Sequence, residues 1–199
     1  MKILSLLFFF TIILTKSAFA IAPLNSLTIE QAELYGISQV KTEPFEFTKP
    51  WCAYEEKTTI LNESSEHAHL YTSFLLIATE SRERAIQKQP AMQIEDTEKI
   101  ISDYVNLLSF SIQLKGNTSD FCKGTRAFLK QEDSIYPVIY SKIPNNAEKI
   151  LGESENNYFV QGYVYFDESK VNKEKPVVLI ILTDDNREHR FFFDLKKIK

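Results

Sequence analysis

The spacing of apolar residues along the chain changes from a helical period to a strand period near position 108. Before that point, residues 64–88 carry apolar side chains at helical spacing, and Ser64 is a candidate N-cap. Residues 95–108 show the same period, with their apolar side chains on one face. Both segments are predicted to be helices. A shorter predicted helix opens at Thr28 and would end at Gly36.

Beyond that point, apolar and polar residues alternate, which is the period of a strand with one buried face. The predicted strands are residues 110–114, 121–130, 158–167, 177–183 and 188–195, with a turn at 184–186. Residues 134–143 stay ambiguous because Pro137 interrupts them, and residues 39–60 have an extended pattern. The sequence therefore predicts a single α+β domain, with helices packed on a largely antiparallel β-sheet that ends in a C-terminal meander.

The first 20 residues have the features of a secretory signal peptide. Lys2 precedes an apolar stretch over Ile3–Leu14, and the segment Ala18–Ala20 supplies small residues at a cleavage site. We predict cleavage before Ile21 and export to the periplasm or, as the alternative, to the extracellular space, which leaves a domain over 21–199. An uncleaved membrane anchor is the competing interpretation, but this apolar stretch is short for a bilayer span.

Loss of the predicted signal peptide makes the remaining chain more acidic. Lys2 and Lys16 leave with it, so 21 Lys and Arg remain against 27 Asp and Glu, a net charge of −6. An acidic exported domain is a poor binder of nucleic acid or of an anionic membrane surface. The expected partner is therefore another exported protein. The apolar run Val177–Leu182 is too short to add a membrane span.

Cys52 and Cys122 are the two cysteines of the chain, and they lie 70 residues apart. They do not form a C-x-x-C pair, and export would place them in an oxidising compartment. We therefore predict a structural disulfide between them, worth about 4 kcal/mol on the chain-entropy model. The alternative is a nucleophilic thiol, which would need a positioned histidine nearby.

His67 and His69 form a His-x-His pair within the first long predicted helix. On a helix, residues two apart point about 200° apart, whereas on a strand they share a face and can bind one ion. The helix prediction therefore makes both histidines surface or capping residues, and no metal site is predicted. The alternative is a zinc or copper site with His189 or Asp184 as a distant ligand.

Sequence motifs of catalysis and of nucleotide binding are absent. There is no G-x-S-x-G and no H-E-x-x-H, and the five glycines never form a phosphate-binding loop. No catalytic residue and no cofactor are predicted. His189, which shares a strand face with Phe191 and Phe193, is expected at the margin of the core. A small exported hydrolase with a histidine-containing site assembled in space is the alternative function.

Two of the predicted strands, 158–167 and 188–195, carry apolar side chains on both faces. An antiparallel sheet usually leaves one face to solvent, so two apolar faces need two covers. Either the helices cover both, or one face stays partly open to a partner. The candidate interface is Phe159, Tyr163, Tyr165 and Phe192. We therefore expect a non-enzymatic exported binding or accessory protein, such as an inhibitor or an immunity-type protein.

Overall fold

A computed structural model describes residue 21 and residues 25–150 and 157–199, so the predicted signal peptide at 1–20 lies outside the described residues. The α-helices in this part are α1 (Ser26–Ser38), α2 (Pro44–Thr48), α3 (Ser73–Ile86) and α4 (Ile94–Tyr104). The β-strands are β1 (Cys52–Tyr54), β2 (His67–Tyr71), β3 (Leu107–Gly116), β4 (Arg126–Gln131), β5 (Ser134–Pro137), β6 (Tyr140–Lys142), β7 (Glu148–Lys149), β8 (Tyr158–Asp167), β9 (Val177–Leu182) and β10 (Glu188–Phe193).

The described strands form two antiparallel sheets. The first sheet has the order β1-β2-β3-β8-β6, with β7 also paired to β8, and the second has the order β10-β9-β4-β5. The predicted α+β class with antiparallel strands is confirmed. The last three strands do not form one meander, however, because β8 pairs with β3 in the first sheet. Of these three strands, only β9 and β10 form a hairpin, and Asn186 with a φ of 62° lies in its turn.

The hydrophobic core lies between the apolar faces of the two sheets. Phe110 of the first sheet and Phe193 of the second are fully buried, and their ring centroids are 5.1 Å apart. Where the sheets meet at one edge, Glu55 forms a β-bridge with Phe191 of β10. Each sheet thus has an inner face in this core and an outer face directed away from it.

The helices α1 and α3 pack against each other beside the first sheet. Gly36 allows their close approach, because a Cβ atom at this position would lie 2.1 Å from the backbone oxygen of Ala78. Gly36 therefore lies inside α1 and does not end it; the helix begins after Asn25, whose side chain accepts a hydrogen bond from the backbone N–H of Thr28 at 2.9 Å. Stacking of Trp51 on Phe74, with centroids 5.9 Å apart, attaches α3 to the chain before β1.

The segment 64–88 is not one helix, which corrects the prediction. Its first part is β2, and α3 begins only after Thr72, whose hydroxyl caps the helix by accepting a hydrogen bond from the N–H of Leu75 at 3.2 Å. The helical spacing of the apolar residues is genuine within α3. In β2, pairing with β1 and β3 on both sides determines the conformation instead.

Other predicted elements differ mainly in their boundaries. The helix predicted at 95–108 is α4, but it stops at Tyr104, and Leu108 belongs to β3. The ambiguous segment 134–143 becomes two strands, β5 and β6, which belong to different sheets. The extended pattern at 39–60 is correct only for β1, because α2 and a short 3₁₀ helix precede that strand.

The predicted disulfide is not formed in the structure, where Cys52 and Cys122 are both free. Cys52 begins the edge strand β1 and lies opposite His69. Cys122 lies between β3 and β4, and its Sγ donates a hydrogen bond to the carbonyl oxygen of Pro144 at 3.2 Å. The fold thus gives each thiol its own surroundings and does not support the predicted bond.

Candidate functional site

Aromatic side chains gather on the outer face of the first sheet. The register places Ser109 of β3 between Tyr71 of β2 and Tyr165 of β8, and Tyr140 of β6 follows beside Tyr165. Two residues along the strands, Ser111 lies opposite Tyr163. Residues at these alternate positions share one face of the sheet. Ser109 is therefore bordered by a tyrosine on each side, whereas Ser111 has a tyrosine on one side only.

The end of α4 adds a fifth tyrosine, because Tyr104 acts electrostatically on both Tyr71 and Tyr165. The rings of Tyr140 and Tyr165 are in contact, with centroids 5.7 Å apart. We call this group the tyrosine cluster; its members are Tyr71, Tyr104, Tyr140, Tyr163 and Tyr165. Tyr140 is 59% exposed, while the other four are half-buried. The cluster is thus partly open to solvent.

Most hydroxyls of the tyrosine cluster have no hydrogen-bond partner in the described part of the chain. Burial raises the pKa of Tyr71, whose hydroxyl lies within hydrogen-bonding reach of the Ser111 side chain, and burial also raises the pKa of Tyr165. A neutral phenol both donates and accepts hydrogen bonds. Beneath the rings, Ser109 is 3% exposed, and its buried Oγ has no hydrogen-bond partner in the described part of the chain.

His67 and His69 lie farther along the same outer face, on β2. Because β2 is a strand, the two histidines share a face, and their ring centroids are 5.0 Å apart. This corrects the helical placement that led us to dismiss a shared ion. Phe45 of α2 nevertheless packs on both rings, at 5.2 Å and 5.8 Å between centroids. Among the described residues, no group of three His, Cys, Asp or Glu side chains is arranged to hold a metal.

Burial keeps both histidines neutral. It lowers the pKa of His67, and together with the neighbouring His67 it lowers the pKa of His69 to about 4. The Nδ1–H of His67 donates to the carbonyl oxygen of Ser65 at 2.7 Å. The Nε2 of His69 lies 3.1 Å from the hydroxyl of Thr48, a residue of α2. The pair therefore anchors α2 on the sheet.

Cys52 lies beside His69, so the alternative of a nucleophilic thiol can be examined directly. Burial raises the pKa of the Cys52 thiol to about 12, although the charge of Lys49 opposes this shift. A nucleophilic cysteine needs the thiolate, which a neighbouring cation or base normally stabilises. Here the nearby histidine is itself held neutral. The pair lacks the charge distribution of a catalytic Cys–His dyad.

His189 lies on the opposite, inner side of the molecule, in β10, where it is 2% exposed. Its Nδ1 lies 3.5 Å from a carboxylate oxygen of Glu66, and its Nε2 lies 3.3 Å from the hydroxyl of Thr183. This is the order acid, histidine, hydroxyl of a hydrolase triad. The hydroxyl of Thr183, however, is buried and donates to the carboxylate of Asp185 at 2.5 Å. The group works as a buried polar network between the strands.

The electrostatics of Glu66 agree with that structural role. Burial by itself would raise the pKa of Glu66, but hydrogen bonds from His189 and from the backbone N–H of Lys115, with the charges of His189 and Arg187, lower it. The bond from Lys115 is 2.8 Å long. Arg187 also donates to the carbonyl oxygen of Lys115. The network therefore connects β10, β3 and the start of β2.

The four residues of the predicted interface lie on different surfaces in the structure. Tyr163 and Tyr165 lie in the tyrosine cluster, and Phe159 lies on the same face of β8 but opposite Lys115, away from the cluster. Phe192 lies on the outer face of the second sheet and is 61% exposed. The four residues therefore do not form one surface.

The sequence pattern did not indicate which other residues surround Tyr163 and Tyr165. Tyr71 was assigned to a helix, Tyr140 to an ambiguous segment, and Tyr104 to the apolar face of a helix. The available signal was the alternation of Ser109 and Ser111 with apolar residues in β3, which predicts small polar side chains on the outer face. The neighbours of those serines depend on strand order, which the local pattern does not contain.

Comparison with protein-family models, with curated proteins and with solved structures finds no match to this chain. The class that the fold defines is an α+β protein with two antiparallel sheets. In the part of the chain that the structure describes, no helix combines the length and the apolar character that crossing a bilayer requires. The function therefore has to be argued from the surfaces described above.

Proposed function

We propose that this chain is an exported, non-enzymatic binding protein whose contact surface is the tyrosine cluster. The observation that carries the proposal is the convergence of five tyrosines, contributed by β2, α4, β6 and β8, on one part of the outer face of the first sheet. Tyrosine is enriched where proteins bind partners, because its ring supplies contact area and its hydroxyl supplies a hydrogen bond at small cost in conformational entropy.

The burial and the hydrogen bonding of these side chains support a surface that is solvated in the free protein and covered in the complex. Tyr163 and Tyr165 are half-buried, and their hydroxyls have no hydrogen-bond partner in the described chain. Fully buried phenols usually find a partner. These hydroxyls are therefore solvated in the free protein and available to a ligand.

The three histidines and two cysteines favour this proposal over the alternative of a hydrolase. His67 and His69 are held neutral beneath Phe45, the Cys52 thiol is protonated, and the hydroxyl beside His189 is buried and bonded to Asp185. Each of these side chains thus has a structural role or lacks the ionisation that catalysis would require. Export rests on the pattern of residues 1–20 and remains a prediction.

The test compares what three immobilised proteins retain from an envelope extract of the source organism. They are the wild type, the double variant Tyr163→Ser with Tyr165→Ser, and the control Phe192→Ser. The control also replaces an aromatic residue by serine, but on the second sheet. The retained material is analysed both for protein and for carbohydrate. Retention by the wild type and by Phe192→Ser, with loss in the double variant, supports the proposal.

Thermal and urea unfolding of the double variant provides the necessary control. Half-buried tyrosines at a surface should cost about 1 kcal/mol or less each, whereas core positions would cost about 3–5 kcal/mol. Equal retention by all three proteins would contradict the proposal. A large loss of stability would instead place both tyrosines among the residues that hold the fold together, and would also contradict it.

A further inference from the structure

We propose that the groove between α1 and α4 is a second binding site, and that it takes a basic amphipathic helix of a partner protein. This inference goes beyond the proposed function, because none of the residues that line the groove belongs to the tyrosine cluster. Three properties of the groove point to this occupant: the shape of its walls, its exposed apolar side chains and its uncompensated negative charge.

One wall of the groove is a single face of α1. Its residues are Ser26, Ile29, Glu30 and Glu33, whose spacing i, i+3, i+4, i+7 places them along one side of the helix. Ile29 is half-buried and packs against the core, whereas Glu30 is exposed and Glu33 is half-buried. This wall therefore combines an apolar side chain with two carboxylates.

The opposite wall is a single face of α4, formed by Ile94, Thr97, Glu98 and Ile101, which have the same spacing. The cavity between the two walls has a volume of about 470 Å³, which lies within the range of ligand-binding pockets. Each wall extends over about two helical turns, or roughly 10 Å. A short helix of a partner matches this length and these walls.

Both helices contact α3, which holds the two walls in place. Gly36 allows α1 to approach α3 closely. On the other side, Asp96 of α4 forms an ion pair with Arg84 of α3 at 3.0 Å, and the hydroxyl of Ser81 donates a hydrogen bond to the sulfur of Met92 at 3.2 Å. Met92 itself lines the groove. The groove is thus preformed, which reduces the cost of binding.

The apolar face of α4 is largely uncovered. Thr97 is the only buried residue of this helix, and Ile94 is 75% exposed, more than any other large apolar side chain in the described part of the chain. Ile101 and Met92 are half-buried. An apolar face at helical spacing normally packs against another element. A third helix laid in the groove would cover Ile94, and this is an established mode of peptide recognition.

The charge of the groove favours a basic partner. Glu30, Glu33 and Glu98 line it, and none of their side chains has an ion-pair or hydrogen-bond partner in the described part of the chain. The described lining contains no lysine, arginine or histidine, and Lys99, which follows Glu98, is exposed and does not line the groove. Three carboxylates beside an apolar surface attract the lysine and arginine side chains of a helix that also carries an apolar face.

The same charges argue against other occupants. A second copy in a symmetric contact would place glutamates against glutamates, and an anionic membrane surface would be repelled in the same way. A polyamine would match the charge but would leave Ile94 and Ile101 uncovered. A helix with a leucine-rich stripe beside lysines satisfies both the charge and the apolar surface.

The experiment measures binding to the full-length exported protein by isothermal titration calorimetry. The probe is the amidated peptide LKKLLKLLKKLLKL, which forms a helix with leucines on one face and lysines on the other. The peptide LEELLELLEELLEL keeps the apolar face and reverses the charge, and spermine supplies charge without an apolar face. We expect only the basic peptide to bind. Its affinity should fall by about tenfold between about 0.05 M and about 0.5 M salt, because the ion pairs are exposed.

Two triple variants then test the charge of the groove. The variant that removes the three groove carboxylates should weaken the basic peptide by about tenfold, since exposed ion pairs are individually weak but add up. The control removes three exposed glutamates outside the groove, so its net charge is the same, and it should weaken the peptide by less than about twofold. The groove variant is Glu30→Gln, Glu33→Gln, Glu98→Gln, and the control is Glu43→Gln, Glu63→Gln, Glu95→Gln.

The variant Ile94→Ser tests the apolar surface. Because Ile94 is largely exposed, thermal unfolding should be nearly unchanged, while the basic peptide should bind about tenfold more weakly. The control Ile135→Ser, at a 61% exposed position of β5, should not alter binding. The double variant Tyr163→Ser with Tyr165→Ser should bind the peptide as the wild type does, because the groove and the tyrosine cluster share no residue.

The inference is overturned if the basic peptide fails to bind at about millimolar concentration, if the acidic peptide or spermine binds equally well, or if the two triple variants weaken binding equally. Self-association of the protein that the groove variants abolish would assign the groove to a second copy and would also overturn it. Loss of peptide binding in the double tyrosine variant would place the peptide on the tyrosine cluster instead.

Discussion

Among the individual residues, His69 shows most clearly how burial controls charge in this protein. It is 8% exposed, it contacts the rings of Phe45 and His67, and its pKa is lowered to about 4. The folded protein therefore prefers the neutral imidazole. The unfolded chain takes up a proton near the ordinary histidine pKa, about 6.5. The stability that depends on neutral His69 is present above that value and is lost as the pH falls below it.

The corresponding prediction concerns the pH dependence of unfolding. Between pH 7 and pH 5, proton uptake by the unfolded chain at position 69 should lower the free energy of unfolding by about 2 kcal/mol. The variant His69→Gln cannot titrate, and its amide can still contact Thr48, so its stability should fall by correspondingly less. Urea unfolding of both proteins at the two pH values measures the difference. An identical loss in both would contradict the assigned pKa.

Among the secondary-structure elements, the contact between α1 and α3 depends on one glycine. Gly36 lies in the helical segment Ser26–Ser38, where glycine is intrinsically less favourable than alanine by about 1 kcal/mol. The close contact with the backbone of Ala78 explains why a glycine stands there. A backbone atom cannot move aside as the end of a flexible side chain can.

We therefore predict that Gly36→Ala destabilises the protein, although alanine is the better helix former. The added Cβ would force α1 and α3 apart, and overpacking of this kind costs roughly 1–3 kcal/mol. The matched control is Gln31→Ala, at an exposed position of the same helix, which should change stability by less than about 0.5 kcal/mol. Thermal unfolding of the wild type and the two variants measures these changes in stability. A stabilised Gly36→Ala protein would show that the helices are not in close contact.

At the scale of the whole molecule, Glu66 joins the two sheets. It precedes β2 of the first sheet, accepts a hydrogen bond from Lys115 of β3, and lies 3.5 Å from His189 of the second sheet. Arg187, which directly precedes β10, lies 3.6 Å from the same carboxylate. If this carboxylate were removed, the backbone N–H of Lys115 and the side chains of His189 and Arg187 would lose this partner together.

Removal of the Glu66 carboxylate should therefore weaken the contact between the two sheets. We predict that Glu66→Ala lowers the free energy of unfolding by roughly 1–3 kcal/mol, since it leaves the Lys115 N–H and the His189 ring without their acceptor. Glu63→Ala, an exposed position in the preceding loop, is the control and should have little effect. Chemical denaturation measures the free energy of unfolding of both variants and of the wild type. Equal stability of Glu66→Ala and the wild type would show that the network does not connect the sheets.

Sequence patterns were most successful where one local period determines the structure. The segment Tyr158–Asp167 was predicted with its observed limits, and Val177–Leu182 was predicted within a residue. Alternation identified these strands because their inner residues face one core. The same method misplaced His67–Tyr71, where a short strand directly precedes a helix and the two periods overlap in one window.

The sequence by itself determined the α+β class and the antiparallel hairpin at the C-terminal end, since these follow from local periodicity. Only the tertiary structure decided which strands are neighbours. That decision separated Phe192 from Tyr163, kept Cys52 and Cys122 as free thiols, and brought Tyr71 beside Ser109. The physical reason is that strand order and register are set by contacts between distant segments, so the tyrosine cluster exists only in the folded chain.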